Sequence, residues 1–259
     1  MSGSIDLNCD MGEGFGPYTL GPDDQVVRYI TSANIACGFH AGDPGCMRRT
    51  VEMAEEIGVG VGAHPSFPDL VGFGRRPMSL TKEEARDCVL YQMGALTAFT
   101  QSKRLQHVKI HGAMYNMAAA GGDLAKAICD AVLEFDPNLI IIVLAGSRWA
   151  EIAREMGMRV AEESFTDRAV NPDGTLVDRK VPGSVLEDVN VIVERAVSMA
   201  RDHRIIATDG TKLEINPDTL CLHGDTPGAV QIAAAIHDAL VDVGVDLVPL
   251  GRAIPGDLR

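Results

Sequence analysis

Long hydrophobic runs are missing from this sequence: the longest purely apolar stretch, Leu139 to Ala145, is far short of the ~18 residues a membrane helix needs. It reads as a buried strand. The opening Met1-Ser2-Gly3-Ser4 runs into Ile5-Asp6-Leu7-Asn8 with no basic segment followed by an apolar one, so no signal peptide is expected. Positive charge is scarce too. Lys and Arg number 23 against 36 Asp and Glu, a formal net charge of -13. Such a chain repels phosphate backbones and anionic lipid, which excludes nucleic acid and membranes as expected partners. The six cysteines form no C-x-x-C pair and read as reduced thiols, with the cytoplasm as the expected compartment. Neither a Ser/Gly linker nor a low-complexity tract nor an internal repeat divides the 259 residues. One domain over residues 1–259 is expected, close to the ~250 residues of a single α/β barrel.

Chemical motifs are also missing. There is no G-x-x-x-x-G-K-[ST] phosphate loop and no H-E-x-x-H zinc motif. Gly58-Val-Gly60-Val-Gly62-Ala63 matches G-x-G-x-x-A only in form, because it lies inside the strand before His64 rather than between strand and helix. Gly12-Glu13-Gly14-Phe15-Gly16 reads as a flexible turn in which Glu13 argues against phosphate.

What is present is an alternation of short apolar segments with helical patterns. Expected strands are Ile5–Cys9, Ala33–Cys37, Val59–Ala63, His107–Ile110, Leu139–Leu144, Met158–Ala161, Arg204–Ala207 and Leu220–Leu222. They read as mostly apolar throughout, as in a parallel sheet covered on both faces. Asp43-Pro44 and Thr226-Pro227 each offer an N-cap followed by proline at the first helical position. Thr81-x-x-Glu84 is a capping box that opens a helix with Ala85, Val89, Met93, Leu96 and Phe99 on its apolar face. The irregular stretch from Glu163 to Ser184, with Asn171-Pro172-Asp173-Gly174 and Pro182-Gly183, reads as an active-site loop or lid.

Polar residues gather where these strands end. The first runs through Asn8 and Asp10 to Glu13, the second reaches His40 and Asp43, and the third ends at His64. The fourth carries Lys109 and His111, the sixth meets Glu162 and Glu163, and the last ends in His223-Gly224-Asp225. In a parallel barrel all these ends share one mouth. Two chemistries fit. A divalent metal held by Asp10, His40 and His64, with Glu13 as base, would polarise a carbonyl or lower the pKa of water. Alternatively, Asp and His act as metal-free acid and base while Lys109 and an arginine such as Arg75 hold an anion. Cys9, Cys37 and Cys221 read as small buried hydrophobes, and His107, His203 and His237 as structural or surface residues.

The same residues carry a family resemblance. Asp6-Leu7-Asn8-Cys9-Asp10-Met11-Gly12-Glu13-Gly14 resembles the opening signature of the LamB/YcsF family. Later blocks are similar in turn: Ser32 to Asp43, Gly62 to Asp69 with Phe73-Gly74-Arg75, His107-Val108-Lys109 with His111-Gly112 and Tyr115-Asn116, and Cys221 to Asp225. Ile110 stands where members often have proline, and Ala169-Val170 replaces a more usual aromatic-containing pair after Phe165-Thr166-Asp167-Arg168.

The resemblance implies a distorted seven-stranded (β/α) barrel akin to the polysaccharide deacetylases. It implies ATP-dependent cleavage of 5-oxoproline, or a related lactam, to glutamate in a 5-oxoprolinase complex with two other subunits. Asp10, Glu13, His40, His64, Lys109 and His111 are then the expected catalytic residues. Asn8, Asp43, Arg75, Asn116, Arg168, His223 and Asp225 are the expected substrate binders. ATP enters as co-substrate of the complex. The competing expectations are a stand-alone metal-dependent deacetylase or amidohydrolase using the same residues, and a non-catalytic carbohydrate- or lactam-binding protein.

Overall fold

The first strand sets the architecture. In the computed structural model, which describes residues 3–224, 226 and 228–254, β1 (Ser4–Met11) alternates strictly. Ile5, Leu7, Cys9 and Met11 join the hydrophobic core, whereas Asp6, Asn8 and Asp10 are buried against polar partners on other strands. After it come β2 (Ser32–Ala36), β3 (Gly60–His64), β4 (His107–Lys109), β5 (Ile140–Leu144) and β6 (Arg159–Phe165). Further on lie β7 (Arg204–Ile206), β8 (Lys212–Glu214), β9 (Thr219–His223) and β10 (Asp246–Leu247). Neighbours β1 to β6 pair in parallel, β6 pairs with β9, and β9 returns to β1 in the register Asp6↔Thr219 to Asp10↔His223. The result is a closed, seven-stranded parallel barrel with helices outside, as the resemblance implied. β10 extends the β1 edge through Ser4↔Asp246.

Three expectations need correction. The segment from Arg204 is no barrel strand: β7 forms an antiparallel hairpin with β8, and only the middle one of its three residues is buried. An exposed–buried–exposed pattern cannot occupy a position covered on both sides. Nor, β5 apart, are the barrel strands apolar on both faces. Lys109 on β4 reaches Asp10 on β1 and Cys221 on β9, strands it does not adjoin, so these side chains meet inside the lumen. Third, the helix expected to be capped by Thr226 runs over Ala229–Asp242, with Gly228 at its N-cap. Pro227 lies outside the described residues.

The main core lies between sheet and helices, where Leu7, Ile35, Val51, Met93, Val108 and Ile141 belong to one cluster. A smaller cluster of Ile140, Ile142, Ala161 and Leu250 plugs the end of the barrel where the strands begin. Helix Lys82–Thr97 has the expected capping box, and Ala85, Val89, Met93 and Leu96 are buried, while Phe99 lies past its end. Glycines make room in the lumen: a Cβ on Gly62 would lie 2.1 Å from Nε2 of His107. From Gly60 on the Gly-x-Gly string is thus a strand feature, while Gly58 turns the chain ahead of β3 at φ 78°. No helix among the described residues is long and apolar enough to cross a membrane.

Candidate active site

The floor of the site is a hydrogen-bonded lattice. Asp6 accepts from Ser32 (2.6 Å), Thr31 (2.7 Å) and Thr219. Burial pushes its carboxyl up to about 6, against the pull of these donors. Thr219 in turn accepts from Nδ2 of Asn8 at 2.7 Å. His107, pushed down to about 3 by burial and by Lys109, is neutral. It accepts at Nδ1 from Gln106 (3.2 Å), so its Nε2–H donates to Oδ1 of Asn34 (2.8 Å). Asn34 then donates to Oδ1 of Asn8 (2.7 Å) and Oδ1 of Asp10 (2.9 Å). Few buried polar groups here lack a partner, which keeps the desolvation cost low.

Above the floor lies Lys109, 2% exposed. Its Nζ is 3.1 Å from Asp10, 3.0 Å from Glu163, 3.2 Å from Oδ1 of Asn8 and 2.9 Å from Sγ of Cys221. Burial alone would favour the neutral amine, but Asp10, Cys221 and Glu163 outweigh it and hold the lysine well above its usual range. Asp10 is the mirror case. Burial opposes its charge, yet His64 and Lys109 hold it well below the usual carboxylate range. Cys221 is raised by burial and remains a thiol, which agrees with its reading as a small buried group rather than a nucleophile.

Beside this pair stand three imidazoles. His64 donates from Nδ1 to the Lys109 carbonyl (2.7 Å), and His111 bonds through Nε2 to the Phe73 carbonyl (2.9 Å). Their other nitrogens face each other at 2.9 Å. Nε2 of His64 also lies 3.2 Å from Asp10, and Nδ1 of His111 lies 3.4 Å from Oε1 of Glu13. His40 meets that oxygen at 3.2 Å and stacks on His111 with ring centroids 3.9 Å apart. Burial, followed by neighbouring imidazoles, pushes both His40 and His111 well below the usual histidine range. Glu13, His40, His64 and His111 form one group with metal-binding geometry, and Asp10, Cys221 and His223 another. The expected ligand trio of Asp10, His40 and His64 is therefore split between the two groups. Gly74, at φ 64°, lets the 69–76 loop pass over the imidazoles: a Cβ there would lie 2.9 Å from both His40 and His111.

A second constellation lines the rim. His223 pairs through Nδ1 with Asp167 (2.7 Å), takes a hydrogen bond at Nε2 from Arg179 (2.9 Å) and stacks on Phe165. Arg168 is buried and spends its guanidinium on the carbonyls of Ser184 and Val177, so it braces the loop that follows β6, which begins after Phe165 rather than at Glu163 as expected. Burial, with Arg179 and Arg75 nearby, lowers it to about 10. Arg75 is exposed and sits over the Phe73 ring. Asp43 caps helix Pro44–Glu56, with Oδ1 accepting from Gly45 and Cys46 and Oδ2 from Gly16. Asn116 is exposed on helix Gly112–Ala119, which buries Tyr115 instead. The expectation for Asp225 lies outside the described residues.

Asp10, Glu13, His40, His64, Lys109 and His111 thus converge, with Asn8 beneath them and His223 at the edge. Sequence reasoning left Glu163, Asp167, Arg179, Asn34 and the floor role of His107 out of the site. Glu163 carried a signal, as an acid just past the end of the expected sixth strand, but was not named among the site residues. Arg179 carried none.

Comparison with known proteins identifies the family and the fold. The LamB/YcsF family model matches residues 5–254. The chain is 57% identical over 252 residues to the A subunit of the 5-oxoprolinase of Pyrococcus furiosus, covering 96% of this chain and 99% of that one. It is similar to the lactam utilization protein from Thermus thermophilus, at 44% identity, TM-score 0.89, and 95% and 99% coverage. The T48 deacetylase, at 12% identity and TM-score 0.50 with 97% and 90% coverage, shares the fold alone.

Proposed function

The chain belongs to the LamB/YcsF family, and from that premise we propose that it is the lactam-opening subunit of a cytoplasmic 5-oxoprolinase. With ATP and two partner subunits it would convert 5-oxoproline to glutamate. The observation that carries the reading is Lys109, a buried ammonium kept charged by two carboxylates among imidazoles at the barrel mouth. Such a cation suits a carbonyl oxygen that gathers negative charge as its carbon is attacked.

An unstrained lactam is a poor electrophile, and phosphoryl transfer to its oxygen activates it. ADP leaves in that step. Water then adds to the activated carbon, the ring C–N bond breaks, and the nitrogen takes a proton, giving an acyl phosphate. A second water releases phosphate and glutamate. Lys109 opposes the oxygen's charge, while Asp10 and His40 of the imidazole–carboxylate cluster move the protons. The substrate's carboxylate fits the rim, where Arg179 is steadied by His223 and Arg75 lies nearby. The chain has no P-loop, so ATP is assigned wholly or partly to the partners.

Reconstitution tests this. The chain alone should be nearly inactive, and glutamate and ADP should appear together only when ATP and both partners are present. ATP-independent opening of 5-oxoproline by the isolated chain would overturn the proposal and favour the metal-dependent amidohydrolase reading, to which the imidazole–carboxylate group lends support.

A further inference from the structure

We propose that His64, His111 and Glu13 hold one divalent transition-metal ion at the barrel mouth, with zinc the best match to the donors. A backbone carbonyl can only accept, so the Lys109 carbonyl fixes the proton of His64 on Nδ1 and the Phe73 carbonyl fixes that of His111 on Nε2. A bound metal ion would take the lone pair on the other nitrogen of each ring. Those nitrogens, Nε2 of His64 and Nδ1 of His111, are 2.9 Å apart. At that distance a proton or a metal ion must lie between them.

A third donor converges on the same point. Oε1 of Glu13 is 3.4 Å from Nδ1 of His111, and the candidate ligand atoms of this group all lie within 4.8 Å of one another. Tetrahedral zinc with bonds of 2.0–2.1 Å separates its ligands by roughly 3.3 Å, so the spacing suits it. Two imidazoles and a carboxylate are a zinc donor set, and anchoring each ligating ring by a carbonyl on its far nitrogen is how metal sites orient histidine.

His40 is assigned a different part. Its Nδ1 is buried with no partner among the described residues, so it lacks the anchor the other two rings share. Its Nε2 instead donates to Glu13 at 3.2 Å. Three ligands leave a coordination position open, with Asp10 3.2 Å from Nε2 of His64. A metal there would supply Lewis acidity and an acidified water, and Asp10 and His40 would remain for proton movement. The inference rests on the same site as the lactam reading but needs no lactam for its test.

The test titrates the full-length, chelator-treated chain with zinc by calorimetry and with cobalt by visible absorption. One ion per chain is expected, and His64→Asn and His111→Asn should each weaken binding by about 100-fold or more. His223→Asn, in the rim trio, should leave it unchanged. Heteronuclear NMR of the parent chain with a spin-active cadmium ion avoids dependence on variants that misfold. It should show one imidazole bound through Nε2 and one through Nδ1. No stoichiometric ion at mildly alkaline pH, or coupling to neither ring, would overturn the proposal. It would mean that a shared proton joins the two nitrogens. Metal binding without ATP-dependent turnover would sink the lactam reading and leave this one standing.

Discussion

Replacing Lys109 with methionine keeps the length of the side chain and deletes its charge. The loss can be sized from the geometry. The ammonium lies 3.0 Å from one carboxylate and 3.1 Å from another. At an effective dielectric of about 20, each contact is worth roughly 5 kcal/mol of gross attraction. Desolvating the three ions offsets much of that, which is why a buried pair contributes little net stability. Removing one partner is a different matter, because the carboxylates remain behind uncompensated. The expected cost is about 3–5 kcal/mol. At ~2–4 °C per kcal/mol for a chain of this size, Lys109→Met should melt roughly 6–20 °C lower than the parent.

Urea denaturation of four proteins decides the matter: parent, Lys109→Met, Glu163→Gln and the double variant. The double should recover part of the loss, since Glu163→Gln removes one stranded charge, giving a coupling above ~1 kcal/mol. In the reconstituted complex, turnover should fall roughly 100–1000-fold with Lys109→Met and should stay low in the double variant, because stability returns without the cation. A single variant that loses under ~1 kcal/mol, or a pair of changes that simply add, would refute the buried-ion account.

Other perturbations separate structural from chemical roles. Asp43→Ala should cost ~0.5–2 kcal/mol through the lost helix cap and leave the KM for 5-oxoproline unchanged, whereas a raised KM would return Asp43 to the substrate. Asp6, lifted from 3.8 to about 6 by burial, binds its proton more tightly folded than unfolded. Its contribution is therefore fully present below pH ~4 and lost as pH rises through ~6, a change on the order of 3 kcal/mol. Asp6→Asn should flatten that stretch of a stability–pH curve, and an unaltered slope would contradict the assignment. Arg179→Gln should raise the KM for 5-oxoproline at least ~10-fold while sparing the carboxylate-free lactam 2-pyrrolidinone. Equal losses on both would reduce Arg179 to a brace for the loop.

The convergence of the site was legible because parallel barrel strands deliver their last residues to one rim. Asp10, His40, His64, Lys109 and His111, spread across a hundred positions, needed only that rule to be brought together. Helix starts were legible where side chain and backbone are local, as at Thr81 and Asp43. Asp43 was also expected to touch substrate, yet both its carboxylate oxygens accept from backbone N–H groups, so the local signal accounts for it. Asn116, expected among the substrate binders, is exposed on its helix while its neighbour Tyr115 is buried, a difference between adjacent residues that only the helix's packing decides. Arg179 was invisible because its partner, His223, is 44 residues away across a loop.

The apolar reading of the strands failed for an instructive reason. Ile5-Asp6-Leu7-Asn8-Cys9-Asp10-Met11 alternates at every step, a period-two signal that was there to be read. The expectation that parallel strands are apolar on both faces hides it. A barrel whose lumen ends in a charged site cannot follow that expectation. Asp10 and Lys109 are out of water, so the groups beneath them must supply what water would have supplied. Asn8 and Asn34 do so, and each then needs its own partners below: Thr219 for one and His107 for the other, with Gln106 and Ser32 next. The polarity propagates down the lumen until Leu250, Ile140 and Ile142 close it. Each layer fixes the orientation of the one above: the tautomer of His107 sets the amide of Asn34, and that amide sets the oxygen of Asp10 that faces Lys109. The depth of the polar column is therefore the structural cost of holding one carboxylate in place at the mouth.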